Sequence, residues 1–283
     1  MTTVRASAQP SGARADVPAR RRAWAARRAV VRGAKGGAGV LAAVGIWEAL
    51  RALSVLPADN APSVWAILAA AARELGRGPL ATATMQTAYA WAVGFLVAVA
   101  VGVAFGVLVG LSRWAEAATG LLFDFLRPIP AVALVPVAIV LLGLGLRMQT
   151  FLTVFAAVWP MLFNTRYGVR NVDPLQIDSA RVQGVGGVAL VRRVVLPAAL
   201  PSIFTGLRLS ASIAVVVTVV TELVAAGTGL GHYIDQHQQV GDAPVAFAGV
   251  LVAGVFGYLV NVVMLAADRW AVRWRALTVG GDQ

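Results

Sequence analysis

Long runs of apolar residues alternate with short polar segments along most of the chain. After residue 36 these runs predict helices, and several approach or exceed the roughly 20 residues that a helix needs to cross a bilayer. The predicted helices cover about 37–53, 84–111, 131–144, 148–167, 202–226 and 244–267. The pattern therefore predicts an all-α, polytopic membrane protein with about six transmembrane helices.

Few charged or metal-ligating side chains interrupt the pattern. Glu48 and Arg51 lie one helical turn apart, so they can pair with each other. His232 and His237 lie in a polar segment that is expected to be a solvated external loop, and two histidines are too few for a metal site. The chain has no cysteine, which excludes disulfides and thiolate ligands. No metal and no cofactor is expected in this chain.

Composition supports the membrane interpretation. Hydrophobic residues make up 59% of the chain and charged residues only 13%, whereas soluble domains carry roughly 25% charged residues. The formal net charge of +11 could indicate a nucleic-acid partner or a membrane surface. The positions of the basic residues decide between these two partners.

Most of the basic residues lie on one side of the predicted bundle. Nine of the 24 Lys and Arg residues lie in 1–36, two in 112–128, six in 164–208 and three after residue 268, which leaves four elsewhere. Basic residues favour the cytoplasmic side of a membrane. Both termini are therefore expected in the cytoplasm, near anionic lipid, and no nucleic-acid partner is expected. Residues 1–36 are interpreted as a disordered basic tail, with a signal or transit peptide as the alternative.

A glycine pattern marks the second predicted helix. Gly102, Gly106 and Gly110 form two overlapping G-x-x-x-G units, which let two helix backbones approach closely in lipid. The pattern predicts a tight helix–helix seam. The sequence leaves open whether this seam lies within the chain or between two copies of it.

The segment 178–201 has a distinctive spacing. Asp178-Ser179-Ala180 is followed after three residues by Gly184, after nine more by Val194, and then by Leu196-Pro197. Asp173 can cap a helix that starts at Pro174 and ends near Gly184, and a second short helix is expected to run into Leu196-Pro197. Two short helices joined by glycines would form a compact, half-polar knob.

This spacing resembles the cytoplasmic EAA loop of the membrane subunits of bacterial ABC importers. In that family Glu-Ala-Ala, Gly, Ile and Leu-Pro stand at these positions, so Asp178, Ser179 and Val194 are conservative departures. Two further segments, Arg127-Pro128-Ile129-Pro130 and Gly227–Gly231, resemble the nitrate, sulfonate and taurine branch of these importers.

The resemblance implies a type I ABC importer permease in the bacterial plasma membrane, with residues 37–283 as its transmembrane domain and a coupling loop over about 168–201. The implied coupling residues are Asp178, Ser179, Ala180, Gly184, Val194, Leu196 and Pro197. The implied partners are an ABC ATPase dimer, a periplasmic or lipid-anchored substrate-binding protein and a second permease copy. The implied cargo is a small solute such as an aliphatic sulfonate, taurine or nitrate.

The chain contains no motif for ATP chemistry. A phosphate-binding P-loop needs Gly-Lys followed by Ser or Thr, and the only lysine, Lys35, is followed by Gly36. No carboxylate pair stands at a convincing catalytic spacing. We therefore expect a transport subunit rather than an enzyme, with ATP hydrolysis by a separate chain.

Four residues are candidates for the transport pathway or its gate. Arg127, Pro128 and Pro130 break a helix, and such breaks are tolerated in a membrane only against protein or a water-filled cavity. Glu222 is an ionisable residue in an apolar run, which marks a functional candidate. Alternatively, Glu222 is structural and accepts hydrogen bonds from a turn such as 227–231. The broken helix and Glu222 also suit an ion-driven secondary transporter, which is the alternative function.

Overall fold

The computed structural model describes residues 37–57 and 60–279, with side chains for all of these except 226 and 270–279. The predicted tail 1–36 lies outside the described residues. The chain divides into two units, Met1–Val64 and Trp65–Gln283. Every regular element in the described ranges is helical, which confirms the all-α fold class.

In the first unit, the chain that follows helix α1 (37–52) is tied to the end of that helix. Arg51 Nη1 donates to Glu48 Oε2 at 2.7 Å, as predicted. Arg51 Nε also donates to the carbonyl oxygen of Ala61 at 2.7 Å. Glu48 Oε1 accepts a hydrogen bond from the Val64 N–H at 2.7 Å. The two charged side chains therefore satisfy each other and fix the path of the following segment.

The remaining helices follow in order along the chain. They are α2 (Val64–Arg77), α3 (Pro79–Leu111), α4 (Arg113–Leu126), α5 (Val135–Leu142), α6 (Leu146–Arg170), α7 (Pro174–Val182), α8 (Gly187–Leu190), α9 (Leu196–Thr221), α10 (Gly229–Gln239) and α11 (Ala243–Val279). A 3-10 turn, Ala131–Leu134, precedes α5. Two π-helical turns, Val191–Val195 and Glu222–Ala226, flank α9.

Four helical segments in the described part are long and apolar enough to cross a membrane. They are Pro79–Leu111, Leu146–Arg170, Gly187–Ala225 and Ala243–Arg269. A fifth span is present if α4 and the segment Ala131–Leu142, which are bent by 83° at their junction, count as one. The total of six remains a prediction.

The expectation of an independent membrane helix over 131–144 is wrong. The four residues of the 3-10 turn and the eight of α5 reach only about 20 Å, against a hydrocarbon core of about 30 Å. Pro136 lies in the first turn of α5 rather than inside a longer helix. Because this segment is short, it can cross the membrane only together with α4.

Helices α3 and α6 lie side by side and run in the same direction. Each of four glycines on α3 faces the residue 59 positions later on α6, and a Cβ at any of them would lie 2.6–2.8 Å from that side chain. The pairs are Gly94–Thr153, Gly102–Met161, Gly106–Thr165 and Gly110–Val169. Because glycine has no side chain, the backbones of α3 and α6 can approach closely at these positions. The glycine seam predicted from the sequence therefore lies within the chain.

Helix α9 packs antiparallel against α6 through small and hydroxyl side chains. Ser210 Oγ donates to the carbonyl oxygen of Ala157 at 2.8 Å. The hydroxyls of Thr153 and Thr218 lie 3.2 Å apart. Helix α6 thus packs against both α3 and α9, which also contact each other through the hydrogen bond from Trp91 Nε1 to the Ala211 carbonyl oxygen at 3.2 Å. The three helices form the centre of the second unit.

Two further sequence expectations are wrong. The segment with His232 and His237 is not a loop, because Gly229–Gln239 forms α10. The second short helix of the 178–201 segment is not separate either, because α8, the π turn and α9 form one continuous helix, Gly187–Ala225. Pro197 is accommodated in the first turn of α9, directly after the π turn changes the hydrogen-bond register.

Candidate functional site

The segment between α6 and α9 begins with the short helix α7, which is followed by a turn at a glycine. Asp173 caps α7 by accepting from the Leu175 N–H at 2.9 Å, as predicted. After α7 the chain turns at Gly184, where φ is +79° and the Val185 N–H donates to the Ala180 carbonyl at 2.9 Å. This bond is the Schellman closure of a helix end. A side chain at position 184 would be strained although the space around it is open.

The same segment, the α7–α8 loop (Asn171–Val195), exposes apolar side chains. Leu175, Val182 and Val188 are 71%, 89% and 84% exposed. Leu175 and Val182 lie seven residues apart on α7 and therefore share one face of this helix. Exposed apolar residues that cluster on a polar segment are typical of an interaction surface.

The seven predicted coupling residues fall at three places in this loop. They lie on α7 (Asp178, Ser179, Ala180), at the turn after it (Gly184), and where the π turn meets α9 (Val194, Leu196, Pro197). Of the seven, Ala180 alone is buried. Asp178 is exposed and lies 3.5 Å from Arg181 of the same helix. The structure thus brings these residues together on one side of the molecule, called here the α7 end of the bundle.

Glu222 lies at the opposite end of the bundle, where α9 passes into its second π turn. Only 1% of its surface is exposed. Its Oε2 accepts from Thr87 Oγ1 of α3 at 2.7 Å and from the Gly231 N–H of α10 at 3.2 Å. The hydrogen bond from a glycine turn that the sequence suggested is therefore present.

The first N–H groups of α10 all find acceptors on α3 or at the end of α9. Gly229 N–H donates to Gln86 Oε1 at 3.0 Å, and Leu230 N–H donates to Thr87 Oγ1 at 2.7 Å. Gly231 N–H donates to Glu222, as above. These N–H groups have no partner within their own helix, since the first turn of any helix leaves them free. The three side chains Gln86, Thr87 and Glu222 together are called the α10 cap.

The contact between the cap and α10 leaves no spare room. A Cβ added at Gly229 would overlap the Glu222 carboxylate, and a Cβ added at Gly231 would overlap the Val219 carbonyl. Glycine is therefore required at both positions for the carboxylate to reach the helix terminus.

The two histidines lie on α10 and do not form a metal site. The Nδ1 of His237 donates to the Tyr233 carbonyl at 2.8 Å, and the two rings lie 4.2 Å apart. Tyr233 Oη donates to Glu74 Oε2 at 3.2 Å. Burial, together with the Glu74 carboxylate, raises the pKa of the Tyr233 hydroxyl. Among the described residues no three His, Cys, Asp or Glu side chains converge on a possible metal position.

The three candidates at the helix break, Arg127, Pro128 and Pro130, lie at the bend between α4 and the 3-10 turn. The Arg127 guanidinium lies 5.1 Å from the centroid of the Phe163 ring, which is a cation–π distance. From the seam register, Thr87 is level with the start of α6, and Phe163 is about 25 Å further along this helix. Arg127 and Glu222 therefore do not belong to one site.

An ion-pair cluster at the α7 end was not predicted from the sequence. Arg166 and Arg170 of α6 both pair with Glu116 of α4, and Arg170 Nη1 donates to Glu116 Oε1 at 2.6 Å. The two arginines stand four residues apart, so they share one helix face. That spacing is visible in the sequence, but their partner lies 50 residues before Arg166 and was not identifiable.

Comparison with known proteins places this fold and these motifs in context. The family model for the inner membrane component of binding-protein-dependent transport systems matches residues 98–276. This match includes the seam glycines Gly102, Gly106 and Gly110, the α7–α8 loop, Glu222 and α10.

Individual relatives are similar over most of the chain. The putative aliphatic sulfonates transport permease protein of Bacillus subtilis is 30% identical over 232 residues, which are 82% of this chain and 84% of that protein. The bicarbonate transport system permease protein of Synechococcus elongatus is 37% identical over 184 residues, 64% of this chain and 66% of that protein. The putative aliphatic sulfonates permease of Escherichia coli is 30% identical over 164 residues, 58% and 62% of the two chains.

A solved structure shares the fold. An inward-facing form of the MetNI methionine ABC transporter superimposes with a TM-score of 0.55 and 20% sequence identity, and covers 68% of this chain and 94% of that chain.

Proposed function

The chain belongs to the family of inner membrane components of binding-protein-dependent transport systems, and we propose that it forms the translocation path for a small anion. It is a multi-pass membrane permease subunit of the ABC importer class and is not itself catalytic. We further propose a docking surface, an orientation in the membrane, partner proteins and a class of cargo for this subunit.

The docking surface for an ATPase subunit is the α7–α8 loop, and its exposed apolar residues are the observation that carries this proposal. Leu175, Val182 and Val188 are each more than two thirds exposed, and they lie on the segment that connects α6 to α9. Burying such side chains against a partner is favourable by about 25 cal/mol per Å². Asp178, Arg181 and the arginines of the π turn lie in the same loop and would set the register of docking.

The orientation places the α7 end in the cytoplasm and the α10 end outside. Most basic residues lie in the termini or in segments at the α7 end, as the positive-inside rule requires. An external substrate-binding protein would then deliver solute at the α10 end. A second copy of this chain would complete the path between two bundles.

The proposed cargo class is a small oxyanion such as a sulfonate. The names of the relatives supply this: two of them are described as aliphatic sulfonate permeases and one as a bicarbonate permease. Both of these solute classes are small and negatively charged. Nitrate is a small anion of the same kind, and taurine carries the same sulfonate group together with an ammonium group.

The proposed mechanism is alternating access driven by the partner ATPase. Closure of the ATPase dimer would move the α7–α8 loop of each permease copy. Since α8 and α9 are one continuous helix, a displacement of the loop is transmitted directly into α9 and, through the contacts of α6, into α3. The bundles would tilt and open the path to the outside.

Substitution of Gly184 tests the docking proposal. In Gly184→Glu the side chain is strained at φ +79°, so we expect the protein to remain in the membrane but to lose copurification with its ATPase. Gly186→Glu is the matched control, because Gly186 lies in the same loop, is equally open and has φ −132°, so this substitution adds the same charge without the backbone strain. Wild-type levels of complex and uptake in Gly184→Glu would overturn the assignment. Uptake that persists after ATP depletion would instead support the ion-driven alternative.

A further inference from the structure

We propose that the α10 cap, Gln86, Thr87 and Glu222, clamps the external helix α10 to the outer end of α3 throughout the transport cycle. Glu222 is then a positioning residue of the outer surface and not a ligand for the transported solute. This inference rests on the orientation proposed above, but the experiment below directly measures how well α10 covers a residue of α3.

The surroundings of Glu222 argue against contact with a solute. The carboxylate is buried, one oxygen accepts two hydrogen bonds from the protein, and the backbone of the α10 turn packs against it. A site that lacks room for a methyl group at Gly229 has none for a sulfonate.

The cap holds α10 more firmly than packing alone would. A carboxylate beside a helix N-terminus complements both the free N–H groups and the positive end of the helix dipole. Thr87 of α3 connects α10 with the end of α9, because its hydroxyl donates a hydrogen bond to Glu222 and accepts one from the Leu230 N–H. The bonds from Thr87 to Glu222, from Leu230 to Thr87 and from Gly231 to Glu222 are buried, so breaking any one of these three leaves an unsatisfied polar group.

Further contacts hold the rest of α10 in place. Leu230 and Tyr233, in its first two turns, pack into a small core with α2, α3 and α11, which also contains Ala70, Leu80, Ala83 and Ala248 among others. Tyr233 adds a hydrogen bond to Glu74 of α2. The helix is thus fastened at its N-terminus by the cap and along one face by this outer core.

One consequence concerns the binding protein. If α10 is clamped, its exposed residues, such as Gln236 and Gln238, keep a fixed position relative to α3 and form a rigid part of the outer surface. Loosening the cap would then weaken the response to the binding protein more than it weakens the assembly of the permease with its ATPase.

Cysteine accessibility gives a direct test, since the natural chain has no cysteine. Ala83→Cys places a thiol under α10, where 6% of the native side chain is exposed. In the ATPase-bound complex in liposomes, we expect a membrane-impermeant maleimide to label this thiol slowly with Glu222 present. Adding Glu222→Leu should raise the rate on the order of tenfold or more, because local opening of α10 becomes easier.

Two controls separate the clamp from a general loss of stability. Glu222→Gln keeps the size and one acceptor oxygen, so it should restore slow labelling and retain most of the uptake. Ser210→Ala removes a buried hydrogen bond between α9 and α6 and should leave labelling unchanged. Leu230→Cys, on α10 itself, serves as a second reporter.

The functional readout is the ratio of ATP hydrolysis with and without binding protein, which we expect to fall in Glu222→Leu and to recover in Glu222→Gln. Fast labelling of Ala83→Cys during ATP turnover with Glu222 intact would overturn the clamp and make α10 a moving gate. A change of substrate preference in Glu222→Gln with coupling intact would place Glu222 in the substrate path. Failure of the ATPase to bind at all would count against the proposed function and not against the clamp.

Discussion

Gly106→Ala is the most informative perturbation of the bundle, because it adds one methyl group to the seam between α3 and α6. The new Cβ would lie 2.6 Å from Thr165 Cβ and 2.8 Å from the Leu162 carbonyl oxygen. Favourable carbon contacts begin at about 3.5 Å, so the two helices must separate by roughly 1 Å or distort locally. The backbone carbonyl cannot rotate away, which makes this glycine less tolerant than one that faces only a flexible side chain.

The size of the effect follows from two opposing contributions. Overpacking of a well-packed core costs about 1–3 kcal/mol. The greater helix propensity of alanine offsets about 0.5–1 kcal/mol of this. We therefore expect Gly106→Ala to lower the free energy of unfolding by up to about 2.5 kcal/mol.

Gly120→Ala is the matched control. Gly120 lies inside α4, and a Cβ there would meet nothing within 4 Å. This substitution gains the same propensity without the overpacking, so the difference between the two variants isolates the cost of the seam. Unfolding of the purified permease in mixed micelles with increasing SDS, followed by the fluorescence of its eight tryptophans, measures both variants.

An equal or higher stability of Gly106→Ala relative to Gly120→Ala would refute the close approach of α3 and α6. A destabilised Gly106→Ala that still assembles with its ATPase would agree with a seam internal to the chain. Loss of the dimer without loss of monomer stability would instead place the seam between two copies.

Two further predictions concern topology and the ion-pair cluster. A reporter fused after Arg193 should be cytoplasmic and one fused near His237 external, and the opposite result at either position would contradict the orientation. Glu116→Gln leaves two guanidinium groups without a carboxylate, and since the cluster is partly exposed we expect a loss of about 0.5–2 kcal/mol, seen as a lower melting temperature of the complex. Arg113→Gln, on the same turn of α4, is the control, and an equal loss in both variants would rule out a specific role for Glu116.

Features that depend on neighbouring residues were predictable from the sequence. The cap of α7 by Asp173 and the turn at Gly184 follow from interactions within one or two helical turns. The pair of Glu48 and Arg51 is of the same kind. The apolar runs gave the long spans α3, α6 and α11 because twenty or so apolar residues have one stable arrangement in a bilayer.

Features that depend on distant residues required the tertiary structure. The partner of Glu222 is Thr87, 135 residues away, and no local pattern connects them. Gly229–Gln239 forms a helix instead of a loop because the cap supplies acceptors for its first N–H groups. Apolar periodicity sets how long an element is and which of its faces is buried, whereas the pairing of two buried polar groups depends on how the helices pack. The sequence therefore determined the long membrane spans α3, α6 and α11 and the form of the α7 turn, and only the packing of α3 against α9 and α10 decided what Glu222 contacts.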